Sequence, residues 1–471
     1  MRKGSCLAVE LVKDLKNHWL QVVVGFMFCG LGIPLCWATT TEKPNIVFIL
    51  IDDLGWMDLA CQGNTLVETP HLDRLAEQGM RFTNAYAAAP VCSPTRAAIL
   101  TGQAPARLRI TNHIPDHPRF TPPDAQLASA EMKDRLNLDY VTIAEHLQEG
   151  GYRTAFLGKW HLAGRGDAAF YPEHQGFELN IGGCAFGGPP TFFDPYRIPT
   201  LENRRAGEYL PDRLAAEAIR FMRSDRQQPF VLFLWNYTVH WPMEAPEALL
   251  EKYAERTGPG LNDTRYGAMI EAMDSSIGRV IAEVDALGIA ENTLIVFTSD
   301  NGGFGGVADN RPLREAKGHL YEGGIRVPLI VRQPGTIEAG SECAEPTISM
   351  DFFPTLLETA ALLPDPEVPL DGESLWPLLS QEGKLKRDAI YFHYPNYAWH
   401  QSNRLGSAIR AGDYKLIERF DDRSLELYNL SEDLSERHNL ANSLTEKASE
   451  MQQRLAAWRA ETNAAMPTVR N

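Results

Sequence analysis

The sequence predicts an α/β protein: a mostly parallel sheet sandwiched by helices over residues 44–364, then a smaller antiparallel sheet plus helix over residues 365–471. Three observations carry this expectation. Residues 46–51 (IVFILI), 230–235 (FVLFLW), 294–298 (LIVFT) and 327–331 (VPLIV) are short, continuous apolar runs rich in branched side chains, the composition of strands buried on both faces. Helical patterns lie between them, and such alternation puts helices on both faces of a parallel sheet. After about Pro364 the runs shorten and turn pairs such as Gly412-Asp413 and Asp421-Asp422 separate them, the pattern of a small antiparallel sheet.

The first run ends in Asp52-Asp53. Cys92 stands just ahead of residues 97–102, which read as helix, so its thiol would lie at a helix N-terminus. Thr142 and Glu145 form a capping-box signature before Ile143, Ala144 and Leu147, and Gly150-Gly151 would stop that helix. Residues 154–157 are an extended apolar run leading into Gly158-Lys159-Trp160-His161. From Tyr266 to Leu287 the apolar positions keep helical spacing, and Gly288 stands where a left-handed cap is wanted. In the C-terminal part, residues 389–394, 408–410, 414–418 and 425–430 read as strands. Ser443 with Glu446 would cap a final helix whose Met451, Leu455 and Trp458 share one face against that sheet.

Composition excludes several classes. The 471 residues hold 61 acidic and 45 basic side chains, a net charge of −16 without a long basic run, so a nucleic-acid partner is not expected. With 44% hydrophobic and 23% charged residues the chain is not a disordered scaffold. Arg2, Lys3, Lys13 and Lys16 precede an apolar run from Trp19 to Ala38 broken by Gly25, Gly30, Gly32 and Pro34, and Cys36 and Ala38 are small residues at signal-peptidase spacing. Residues 1–38 are therefore expected to be a cleaved export signal. The mature protein would be periplasmic or secreted, with a charge near −18 and no stable membrane span. Three of seven cysteines fall in this leader. Cys61, Cys92, Cys184 and Cys343 are too scattered for a disulfide framework or a zinc site.

Two strand ends, Asp52-Asp53 and Ser299-Asp300-Asn301, would bring three carboxylates and an amide to one sheet edge, where ligands of such sheets sit. Like charges so close call for a cation, and oxygen donors favour calcium first and magnesium second. Arg96, Lys159, His161, His240 and Lys317 would ring the same edge. Carboxylates with a metal, surrounded by cations, describe a site for a tetrahedral oxyanion ester.

These residues resemble a known family, the formylglycine-dependent sulfatases of the alkaline-phosphatase superfamily. Cys92-Ser93-Pro94-Thr95-Arg96 fits the family's Cys-x-Pro-x-Arg signature, and Gly151-Tyr152-Arg153-Thr154 through Gly158-Lys159-Trp160-His161 fits its second one. Thr69-Pro70-His71, Ser299-Asp300-Asn301-Gly302, Lys317-Gly318 with Tyr321-Glu322-Gly323-Gly324, and Leu427-Tyr428-Asn429-Leu430 follow in family order, so the resemblance covers nearly everything after the leader. It implies that a maturation enzyme oxidises Cys92 to formylglycine, whose hydrate attacks sulfur, and that Asp52, Asp53, Asp300 and Asn301 hold the metal with an oxygen of modified Cys92. It implies further that Arg96 and Lys159 stabilise the hydrate and the sulfate. Lys317 and His240 would contact the ester, His240 protonating the leaving oxygen, and His161 would deprotonate the second hydroxyl so that sulfate is expelled.

The expected substrate is a sulfated carbohydrate, attacked from its end, with aryl sulfates as artificial substrates. His393, His400 and Arg404 are candidate sugar contacts, and the proline-rich stretch 113–139 is expected to line the pocket mouth. Arg109 and Glu178 depart from the family pattern and are expected at the substrate rim. Two alternatives stay open on the residues alone: hydrolysis of phosphate or phosphonate esters at the same kind of site, and a sulfated-glycan binding protein without turnover.

Overall fold

A computed structural model describes residues 43–225, 227–398 and 402–470. The expected leader and His400 lie outside the described residues. The large sheet has eight strands: β1 (Asn45–Ile51), β2 (Met80–Phe82), β3 (Arg153–Gly158), β4 (Leu179–Ile181), β5 (Phe230–Trp235), β6 (Thr293–Ser299), β7 (Leu329–Arg332) and β8 (Ser341–Cys343). Their spatial order is β8-β2-β7-β6-β1-β5-β3-β4. The block from β6 through β4 is parallel, and β7 runs against both of its neighbours. The fourth apolar run is therefore an antiparallel member of the sheet. Every residue of β1, β5 and β6 is buried, which is why these strands read as unbroken apolar runs.

The helices follow their sequence signals. Helix α1 (Cys92–Thr101) is buried along its whole length and ends at Gly102, whose φ of 67° suits a residue without Cβ. Helix α2 (Ile143–Glu149) carries the reciprocal Thr142/Glu145 capping box. Helix α3 (Thr264–Ala286) starts from Asp263, whose side chain accepts from the Arg265 amide, and buries Met269, Ile270, Met273, Ile277, Val280 and Val284. Among the described residues no helix is long and apolar enough to cross a membrane.

The C-terminal strands β9 (Ala389–Tyr394), β10 (Gly406–Ala411), β11 (Tyr414–Arg419) and β12 (Leu425–Asn429) form a consecutive antiparallel sheet. Helix α4 (Thr445–Glu461) packs Met451 and Leu455 on it, and Trp458 stacks on Tyr391 with ring centroids 5.1 Å apart. The expected cap at Ser443 is not made. The helix starts after Leu444 without a side-chain cap, and the Ser443 hydroxyl donates to the Leu440 carbonyl instead.

Candidate active site

Neighbouring strands in register build the floor of the site. Ile51 at the end of β1 pairs with Ser299 at the end of β6, so Asp52-Asp53 and Asp300-Asn301 emerge side by side. The Asp300 amide donates to the Ile51 carbonyl at 3.1 Å and the Asp53 amide to Asp300 Oδ1 at 3.3 Å. Asp53 turns out of the strand with φ 64°, and Tyr266 of α3 holds its carbonyl at 3.0 Å. After Asn301 the chain packs backbone to backbone at Gly302, where a Cβ would sit 1.9 Å from the Gly323 carbonyl oxygen.

Cys92, the first residue of α1, points at this floor. Its Sγ lies 3.6 Å from Asp52 Oδ1 and 3.2 Å from Lys317 Nζ. The sulfur and one oxygen each of Asp52, Asp53 and Asp300 all lie within 4.8 Å of one another. Cations balance the carboxylates in pairs. Lys159 Nζ is 2.7 Å from both oxygens of Asp52, Arg96 Nε and Nη2 donate to Asp300 Oδ2 at 2.8 and 2.7 Å, and Lys317 Nζ donates to Asp53 Oδ1. Asn301 Nδ2 donates to the same Asp53 oxygen at 2.8 Å.

Two acceptors are left over. Asp53 Oδ2 and Asn301 Oδ1 are buried without a hydrogen-bond partner, which is costly unless a cation takes their lone pairs. An orphaned carboxylate oxygen and an orphaned amide oxygen, with Asp52 and Asp300 beside them, fit a hard divalent ion. A thiol is the one soft donor in this set.

Burial sets the protonation states. It pushes the Asp52 carboxyl up to about 7 despite the opposing Lys159 charge, and pushes the Cys92 thiol up to about 12. Burial also acts on Asp53, but Lys317, His240 and Lys159 outweigh it and hold that carboxyl below its ordinary range. His240 is pushed down to about 3 by burial, with Asp53 opposing, and its Nε2 lies 3.8 Å from Asp53 Oδ2. His161 is lowered by burial and the neighbouring Lys159, hence neutral. Its Nε2 lies 2.5 Å from the Ile114 carbonyl oxygen, and its Nδ1 is buried without a partner. Since a carbonyl only accepts, Nε2 carries the proton and Nδ1 is a bare acceptor.

A cleft of about 590 Å³ opens above Cys92, lined also by His161, His240 and Lys317. The stretch 113–139 contributes His113, Ile114, Pro115, His117, Arg119 and Phe120 to it. Arg96 and Lys159 do not line it. Both are fully buried, Arg96 against Asp300 and Lys159 against Asp52. Two candidate sugar contacts, His393 and Arg404, are not brought to the cleft. His393 is 2% exposed, with Nδ1 bonded to Ser407 Oγ and Nε2 to the Ala465 carbonyl, because a strand position facing the small core must satisfy both nitrogens. Arg404 chelates Asp421 and also pairs with Asp422. Neither they nor Arg109 and Glu178 are among the lining residues.

Sequence reasoning missed the supports. Gly187 and Gly188 leave room for the two imidazoles: a Cβ on the first would fall 2.8 Å from the His161 ring and on the second 2.6 Å from His240 Nδ1. Paired glycines in the Gly/Pro-rich stretch 182–190 were the available signal. Ser93 Oγ donates to the His161 carbonyl at 2.9 Å and accepts from the Ile114 amide at 3.0 Å, bracing helix, histidine and insertion together. No spacing rule points to that bond. Cys61, Cys92, Cys184 and Cys343 are all free.

An acidic floor at the carboxyl edge of a mostly parallel sheet, rimmed by Lys and His, defines a hydrolase of sulfate-type esters in the alkaline-phosphatase-like superfamily. More narrowly, the chain belongs to the sulfatase family. The family model described as Sulfatase matches residues 44–362, and one described as N-sulphoglucosamine sulphohydrolase, C-terminal, matches residues 316–461. A sulfatase of Formosa agariphila is 33% identical over 90% of this chain and 90% of its own length. Human arylsulfatase A is 36% identical over 79% of this chain and 74% of its own. Among solved structures, Ps i-CgsB in complex with a neocarrahexaose superposes with a TM-score of 0.76 at 27% identity, covering 89% of this chain and 93% of that one. The protein is a sulfuric ester hydrolase.

Proposed function

We propose that this sulfatase is exported and removes single sulfate groups from the ends of sulfated carbohydrates, using formylglycine made from Cys92 by a maturation enzyme and one bound calcium ion, with magnesium as the second candidate. The observation that carries the reading is the pair of orphaned oxygens, Asp53 Oδ2 and Asn301 Oδ1, buried beside Asp52, Asp300 and the Cys92 sulfur. Asp52, Asp53, Asp300 and Asn301 would hold the ion together with an oxygen at position 92. That oxygen would replace the one soft atom in an otherwise hard donor set. Bound there, the ion supplies Lewis acidity and fixes the nucleophile, while the hydrated aldehyde supplies a hydroxyl to attack sulfur and a second one for release.

The remaining roles fall to the chain's own groups. Arg96 and Lys159 hold Asp300 and Asp52 in position. Lys317, between Asp53 and Cys92, offers its ammonium to the non-bridging sulfate oxygens. His240 lines the cleft beside Asp53, and an anionic ester next to it raises its proton affinity, the sign a general acid needs. His161, with Nε2–H committed to Ile114, presents the bare Nδ1 as base for the second hydroxyl. The chemistry of the relatives supports the carbohydrate assignment, since Ps i-CgsB was crystallised with a sugar.

A panel of sulfated mono- and oligosaccharides, with an aryl sulfate and aryl phosphates for comparison, tests the proposal by free sulfate or phosphate release. Sulfate release from terminal sugars, with phosphate esters inert, is the expected result. Desulfation inside a polymer while short oligosaccharides stay inert would contradict end attack.

A further inference from the structure

The cleft carries more positive charge than one sulfate ester requires. Lys317, Arg119 and Arg165 line it with no aspartate or glutamate among the described lining residues, while burial keeps the imidazoles of His113, His161 and His240 uncharged. This stands on a chain of net charge −16. A cleft lined by one sign focuses its field on the ligand, whatever the global charge. Lys317 and His240 sit at the floor against Asp53, where the ester to be cleaved would bind. Arg119 and Arg165 are placed otherwise. Both are exposed, and neither pairs with a carboxylate among the described residues. Asp167, two positions from Arg165, is taken by Arg135 instead.

The mount of Arg119 is built. Its guanidinium lies 4.9 Å from the Phe120 ring centroid, and Phe120 packs against His113 at 5.6 Å and His117 at 5.7 Å. This ring cluster fixes the insertion over the cleft, where Phe186, Trp241 and Phe304 add apolar surface. Trp241 is 42% exposed, enough ring to pack against a sugar face. A volume of about 590 Å³ exceeds what a lone sulfate needs and is in the range of small-ligand sites.

We infer that Arg119 and Arg165 form a second anion subsite, and that the substrate carries, beside the sulfate ester cleaved at Cys92, a further fixed negative group on the same or the adjoining sugar. The inference rests on the sulfatase reading and deepens it. The second group is a carboxylate or another sulfate, both planar or tetrahedral oxyanions that a guanidinium grips through paired N–H donors.

The experiment uses the matured, exported enzyme and three disaccharides that share one terminal sulfate: one otherwise neutral, one with a uronate carboxylate, one with a second sulfate. The expected result is a preference for one dianionic compound of roughly tenfold or more in kcat/KM, carried by KM and weakened by salt. Arg119→Ala and Arg165→Ala should each cut that preference by roughly fivefold, and together remove it, while Arg437→Ala, away from the cleft, leaves it intact. Whichever dianionic compound is preferred identifies the second group. Calorimetric binding of the same disaccharides to Cys92→Ala protein reads the subsite without turnover. Equal affinity for the neutral and dianionic compounds, or a preference that survives the double substitution, would overturn the subsite. Failure to release sulfate from any of the three, with selective binding retained, would instead overturn the proposed cleavage of terminal carbohydrate sulfates and leave the subsite standing.

Discussion

Replacing Arg96 with Met should destabilise the metal-free protein more than replacing Arg96 and Asp300 together. Both side chains are fully buried, and Arg96 gives Asp300 Oδ2 two donors at 2.8 and 2.7 Å. The third arm of Arg96 reaches the Lys159 carbonyl at 2.5 Å, and the guanidinium lies 5.4 Å from the Trp235 ring centroid. Arg96→Met strands a buried carboxylate, which costs about 3–5 kcal/mol. Arg96→Met with Asp300→Asn removes the stranded charge, so only the lost hydrogen bonds and packing remain, about 1–3 kcal/mol. The assay is urea denaturation of the four proteins of the cycle in the presence of a chelator, so that no ion compensates for the missing guanidinium. A coupling of about 2 kcal/mol or more is expected. Additivity within about 0.5 kcal/mol would refute the idea that the two charges hold each other in place.

Adding calcium to the chelated protein should raise its melting temperature, with stabilisation of about 2.7 kcal/mol at a hundredfold excess over Kd. Asp53→Asn and Asn301→Ala should lose most of that shift, and a full shift in either would remove the orphaned oxygens from the ligand set. His393 is buried and pushed down to about 4 from an ordinary 6.5. Its contribution to stability is present above pH 6.5 and lost as pH falls through 4, a total of about 3 kcal/mol. In His393→Gln that part of the acid slope of unfolding should vanish, and an unchanged slope would count against a neutral buried imidazole. Cys92→Ala should abolish sulfate release, whereas Cys61→Ala and Cys184→Ala should keep it; turnover surviving at position 92 would exclude chemistry there.

The sheet was legible wherever burial is two-sided. Strands β1, β5 and β6 are buried at every position and were bounded to within one residue. Periodicity carries no direction, so the antiparallel course of β7 was hidden, and the three-residue strands β2, β4 and β8 are too short to show a pattern. Part of the site was legible because Asp52, Asp53, Lys159, Asp300 and Asn301 sit one or two positions beyond strand ends and Cys92 at a helix start. What failed lies where tertiary contacts decide. The polar residues of β9 and the following loop look like sugar contacts in isolation, yet His393 answers to Ser407 and Ala465 and Arg404 to Asp421. The carboxylate partners of Arg96 and Lys159, Asp300 and Asp52, were equally hidden, because no local spacing tells which anion a buried cation meets.

The central claim concerns the side chain at position 92 in the enzyme at work. Mass spectrometry of the peptide spanning that position, taken from exported protein whose sulfate release is measured on the same sample, tests it most directly. An aldehyde-bearing fraction that rises in proportion to specific activity is the predicted result. Full activity in protein where every such peptide retains its thiol would contradict the account.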